Sequence, residues 1–163
     1  MKNLLLFSVS LLLFACTSKL DKPELEPLLL DNSINPNLKI SVAAFLEQPI
    51  NRSFLDSSCI RSNKDNPYNF SYSKDSSFFE FQNDKLYNAV IKTKGQFLNY
   101  GIEIGQTRAA FRAIFHQLHN SSEQFYVSNK KDRIEISTKS SSYSTWVFHF
   151  ENDLIKHIQY YQQ

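Results

Sequence analysis

The chain has only three glycines, Gly95, Gly101 and Gly105, and all fall within eleven residues. Folds that cradle phosphate or expose a nucleophile on a glycine-rich turn need glycines at other junctions. The nucleophile elbow, the Walker loop and the dinucleotide fingerprint are therefore excluded. The cluster marks one sharp structural event instead. Gly105 stands between a strand-like run at 96–104 and a helical pattern, where a tight turn calls for a residue without a Cβ. Thr107 is placed to cap that helix. Phe111, Ile114, Phe115 and Leu118 then recur at i, i+3, i+4 and i+7, with Asn120 and Ser121 closing it.

Short alternating runs occupy most of the remaining chain. Those at 54–60, 68–72, 77–82 and 85–92 precede the glycine cluster, and those at 125–128, 133–137 and 144–159 follow it. Each is bounded by Asn, Asp, Lys or Ser, the pattern of strands in a half-buried sheet. Asn83-Asp84 predicts a tight turn with Phe81 and Leu86 facing each other. In the last hairpin Trp146, Phe148 and Phe150 alternate with Val147, His149 and Glu151, so the aromatic side faces the core. Asn35-Pro36 predicts a helix over 36–47 carrying Leu38, Val42, Phe45 and Leu46, although 39–42 also reads as a strand.

The first sixteen residues are of another kind. Lys2 precedes a short apolar core at 4–14, and Ala15-Cys16 follows. The apolar stretch is shorter than the roughly 20 residues that span a bilayer as a helix, and it reads as a processing signal. Leu13-Phe14-Ala15-Cys16 resembles a bacterial lipobox, which implies that Cys16 is lipidated and becomes the mature N-terminus. Thr17 after it points, in the enterobacterial sorting pattern, to the outer membrane. Removing Lys2 leaves 17 basic and 16 acidic side chains, a net charge near +1. That balance and the export signal argue against a nucleic-acid partner. With Cys16 lipidated, Cys59 is a single thiol in an oxidising compartment, and stability must come from packing. The expected organisation is a signal peptide at 1–15, a proline-containing tether at 16–35, and α+β units at 36–94 and 95–163.

The two units are suggested by an internal repeat. Residues 78–90 align with 147–158 as aromatic hairpins with an Asn-Asp turn, one gap placing Leu86 over Leu154 and Val90 over Ile158. Gly101-Ile102-Glu103-Ile104-Gly105-Gln106-Thr107, the helix after it and the Trp146–Leu154 hairpin resemble the BamE/SmpA class of small envelope domains. The tandem arrangement resembles the β-lactamase-inhibitor-protein fold. This resemblance implies an antiparallel sheet with helices packed on one face and a non-catalytic, protein-binding or assembly-scaffold role.

Candidate chemistry is sparse. No His-Glu-x-x-His or Cys-x-x-Cys occurs, and carboxylates are scattered singly. Arg108, Arg112 and His116 form a predicted stripe beside the apolar face of the central helix, suited to an acidic partner or head group. His119 lies next to them, and His149 and His157 are expected opposite each other on the outer face of the last hairpin. Two such pairs without a third ligand favour no metal, and no cofactor or catalytic residue is expected. Tyr87, Tyr100, Tyr143, Tyr160 and Tyr161 suit a contact surface where they point outward. The expected function is thus a lipid-anchored envelope protein, held to the membrane through Cys16 and binding another envelope protein. An inhibitor or immunity-like lipoprotein acting on an envelope hydrolase is the alternative, with a histidine-based metal or ligand carrier third and an enzyme last.

Overall fold

The structure, a computed structural model, describes residues 39–63, 65–118, 121–139 and 143–162, all within one compact unit. Cys16, the tether, Asn35-Pro36, His119 and Asn120 lie outside the described residues. Eight antiparallel strands form one sheet: β1 (Ile60–Ser62), β2 (Phe70–Lys74), β3 (Ser77–Gln82), β4 (Lys85–Ile91), β5 (Phe125–Asn129), β6 (Arg133–Thr138), β7 (Ser144–Glu151) and β8 (Leu154–Gln162). Their order is β1-β2-β3-β4-β8-β7-β6-β5, so two four-stranded meanders lie side by side and join through β4 and β8.

The α+β expectation is corrected by this architecture. The helices α1 (Val42–Glu47), α2 (Arg52–Ser58) and α3 (Arg108–Ala113) are six or seven residues each, and the molecule is chiefly β. Helices this short are marginal by propensity and owe their form to caps and packing. Ser41, Asn51 and Thr107 cap them through side-chain oxygens that accept from Ala44, Phe54 and Ala110 N–H groups. Three sequence expectations fail here. Residues 54–58 are helical, because the Asn51 cap starts α2 and leaves only Ile60 of that run in a strand.

Helix α1 starts at Val42 and α3 ends at Ala113, both shorter than the spacing predicts. Ile40 pairs with Phe115 in an isolated parallel bridge: Ile40 N–H donates to the Ile114 carbonyl at 2.8 Å, and His116 N–H donates to the Ile40 carbonyl at 3.0 Å. These bonds hold 39–41 extended and end α3 at its Ile114 cap. Residues 96–104 do not continue the sheet either. Tyr100 (φ 66) and Gly101 (φ 67) adopt left-handed conformations that no strand accommodates, and Asn99 Nδ2 instead ties the segment to the Gln48 and Ile50 carbonyls. At Gly105 the expected turn is present, with φ +87.

One hydrophobic core lies between the sheet and the helices. Following the strand register gives a buried row of Tyr72, Phe79, Ala89, Tyr160, Trp146, Ile136 and Val127. A second row holds Ile91, Ile158, Phe148 and Ile134. Phe111 of α3 packs on Phe148 and Phe150 at 4.5 and 5.9 Å between ring centres. Phe45 of α1 packs on Trp146 and Phe148, so the first helix among the described residues covers the second meander.

The repeat is present in the hairpins, without the gap. Phe81 faces Leu86 and Phe150 faces Ile155, and both hairpins carry a bulge at the same place, between Glu80 and Phe81 and between His149 and Phe150. Leu86 therefore corresponds to Ile155. Leu154, which the gapped alignment put in the core, is 40% exposed. Both turns hold Asn and Asp at positive φ (Asn83 51°, Asp84 58°, Asn152 50°, Asp153 64°), as two-residue type I′ hairpins require.

Candidate functional site

Cross-strand partners share a face, so the register also defines the side of the sheet that the helices leave open. One row runs Ile60, Ser73, Phe78, Val90, Gln159, Val147, Glu135, Ser128. The next runs Ser62, Ser71, Glu80, Asn88, Tyr161, Thr145, Ser137, Tyr126. Four aromatic and aliphatic side chains here are exposed, Ile60 at 75%, Tyr126 48%, Tyr161 40% and Phe78 38%, whereas Val147, Thr145 and Ser128 in the same rows are buried. Around them the surface is mostly neutral hydroxyls and amides, several already paired. Ser62 with Ser71, Ser137 with Thr145, and Thr138 with Ser144 are hydrogen-bonded neighbours.

A cleft of about 460 Å³ opens at the β2–β3 corner, with Asn63, Asn69, Asn83, Glu80 and Gln82 around Phe78. Its polar groups bond mainly to one another: Asn69 Oδ1 accepts from Asn83 N–H, and Gln82 Nε2 donates to Glu80 Oε1. Glu80 is the single carboxylate lining it, so it holds no acid–base pair.

The predicted basic stripe is not assembled. Arg108 turns away from solvent, donating to the carbonyls of Lys130 and Lys131 at 3.0 and 2.5 Å, and lies 4.1 Å over the Phe150 ring. Its Nε is 3.5 Å from Asp153. It fastens the β5–β6 turn to the β7–β8 hairpin. Arg112 is exposed on α3, whereas His116 is exposed beyond the end of that helix. The tyrosines divide as well. Tyr87, Tyr143 and Tyr161 are exposed, Tyr160 is buried 4.8 Å from Trp146, and Tyr100 donates to the Ala44 carbonyl.

At one end of the open face the rings of His149 and His157 stack, 4.0 Å between centres and 14° between planes. They are cross-strand partners, as expected. Burial, then the neighbouring His149 and Lys92 charges, pull the His157 pKa below its ordinary value. Arg133 faces His149 from β6 and is held by Glu135 and Asp132. Its hydrogen bond pushes the Glu135 carboxyl below the usual range. Parallel stacked rings keep their lone pairs in separate planes, which does not converge them on one ion. Among the described residues no three His, Cys, Asp or Glu side chains gather as a metal site. Cys59 is half-buried against the core, and burial raises its thiol pKa.

Sequence reasoning missed the open face as a whole. Its signal lay in the alternate positions of the strands, Val147 and His149 opposite Trp146 and Phe148, but the burial and pairing that join eight strands into one surface are tertiary. No protein-family model, curated protein or solved structure matches the chain. The architecture defines a one-sided antiparallel sheet with a covered aromatic face and an open mixed face. Among the described residues no helix is long and apolar enough to cross a membrane.

Proposed function

We propose that this chain is a lipid-anchored envelope protein that docks another protein on the open face of its sheet and performs no catalysis of its own. The observation that carries the reading is the face of the sheet opposite the helices, on which Tyr161, Tyr126, Phe78 and Ile60 are exposed among neutral polar groups, with Val147, Thr145 and Ser128 buried between them. Aromatics within a surface low in charge are the composition of interface centres. The anchor rests on Cys16 and its lipobox-like context; acyl chains contribute about 0.8 kcal/mol per buried CH₂, so several together hold a domain stably. The scaffold role is the one implied by the resemblance of the aromatic hairpin and the Gly105-Gln106-Thr107 segment to the BamE/SmpA class.

The test places a photo-crosslinking amino acid at Tyr161 or Tyr126, with Arg112 on the helix-covered side as control, in the full-length protein in its own envelope. A membrane complex captured from the sheet positions alone, and lost when Cys16→Ser releases the chain, is the expected result. Equal capture from Arg112 would remove the open face from the reading. A soluble hydrolase captured by both the anchored and released forms would replace scaffold with inhibitor.

A further inference from the structure

The stacked pair His149 and His157 lies at one end of the open face, and its surroundings are short of negative charge. Several charged groups approach it. Arg133 comes from β6, Lys92 follows β4, and Glu151 and Lys156 come from the same hairpin, with Glu135, Asp132 and Lys130 behind Arg133. The carboxylates among them are already engaged. Glu135 is held by Arg133 and Lys130, Asp132 by Arg133, and Glu151 by Lys156 at 3.2 Å. Lys92 is exposed and takes part in none of these pairs. His149 Nε2 lies 3.2 Å from the Gln159 side-chain oxygen, within hydrogen-bond distance.

Protonating the pair would therefore set two imidazolium rings in contact, near Lys92 and Arg133, with no free carboxylate among the described residues beside them. An external carboxylate supplies the missing charge. We propose that His149 and His157 form a proton-gated docking point for an acidic segment of the partner protein. This rests on the open face being the docking surface. In its uncharged form the pair stacks as a flat, weakly polar step on the sheet. As pH falls, a bound carboxylate stabilises the charged rings, so docking takes up protons and tightens. A protein rather than a membrane is favoured by the row beside the pair, where the partly exposed Gln159 and Val90 carry no charge.

The experiment uses the full chain and a decaglutamate peptide as probe, whose side chains remain ionised well below neutrality. Affinity is measured at about pH 7.5 and about pH 5.5, with the two histidines followed by NMR titration. Binding about tenfold tighter at the lower pH, with the His157 titration moving upward on peptide addition, is expected. His149→Gln with His157→Gln should abolish that pH dependence. Lys92→Gln, at an exposed position that leaves the fold untouched, should weaken acid-pH binding while retaining its pH dependence. Equal affinity at both pH values, or a pH dependence that survives the double substitution, overturns the gate. Binding to phosphatidylglycerol vesicles but not to decaglutamate overturns the choice of partner. Crosslinks from Tyr161 that persist equally at both pH values would leave the docking face standing and remove the gate. Proton-linked peptide binding without any such crosslink would keep the gate and remove the scaffold reading.

Discussion

Arg108 shows how a residue that reads as a surface cation becomes part of the frame. Its guanidinium supplies two hydrogen bonds to backbone carbonyls and stacks on Phe150, with only 16% of the side chain accessible. Arg108→Ala should cost about 2 kcal/mol, from charge-assisted hydrogen bonds and ring stacking together. Arg112→Ala should stay within about 0.5 kcal/mol, as for an ordinary surface change. Urea unfolding midpoints at unchanged slope measure both. Equal costs would show that Arg108 has no structural part. Lysine at 108 should recover little, because an ammonium lacks the planar fork that reaches both carbonyls. His157 yields the second residue-scale prediction. Its folded pKa lies below its unfolded one, so the unfolded chain binds more protons on acidification. Its contribution to stability is complete above the ordinary imidazole value and is lost as pH falls from there through the depressed folded value. His157→Gln should flatten the fall in unfolding free energy between about pH 7 and about pH 5. A pH profile parallel to that of the parent protein would contradict this.

The elements that sequence made legible are those whose signal is local. Strands β3, β4, β6 and β8 follow the alternation of the chain, β7 forms where expected although Thr145 and Val147 are buried along with its aromatics, the Asn83-Asp84 turn pairs Phe81 with Leu86 as expected, and Thr107 caps α3. What failed was decided by partners far along the chain. The Ile40 bridge to Phe115 shortened α1 and α3 together, and Tyr100 and Gly101 bent a strand-like run into a strap. Of the candidate site, the opposition of His149 and His157 was legible from hairpin spacing. The role of Arg108 was not, because its carbonyl partners lie more than twenty residues away. At this scale the two Asn-Asp turns carry the third prediction. A β-branched residue in the left-handed region costs about 1–2 kcal/mol. Asn152→Val should therefore lower Tm by several degrees, whereas Asn152→Gly should leave it level or raise it, and the same contrast should hold at Asn83. A valine tolerated at either site would mean that the turn does not hold positive φ in solution. The free edge of β5 shows another local device. Ser121 Oγ accepts from Val127 N–H and Ser122 Oγ from Phe125 N–H, which occupies donors that would otherwise template another strand.

At the scale of the whole molecule, the hairpin repeat suggests two halves while the packing makes one. Strands β4 and β8 pair through Asn88–Tyr161, Ala89–Tyr160, Val90–Gln159 and Ile91–Ile158, and Tyr160 and Ile158 belong to buried rows that cross this seam. Phe45, near the start of the first half, sits on Trp146 and Phe148 of the second, and edge-on to Phe115. A fragment of residues 95–163 would thus expose the aromatic face of β7 where α1 belongs and leave the backbone of β8 unpaired along the seam. An uncovered sheet edge beside an uncovered apolar face is an aggregation template. Expressed alone, 95–163 should give a poorly dispersed NMR spectrum or aggregate, and co-folding with residues 39–94 should restore the dispersed spectrum of the full chain. A well-dispersed spectrum from 95–163 alone would mean that the second meander has a core of its own. The open face would then be two four-stranded surfaces brought together, whereas a failure to fold alone makes it one surface, set by the same core that holds both meanders.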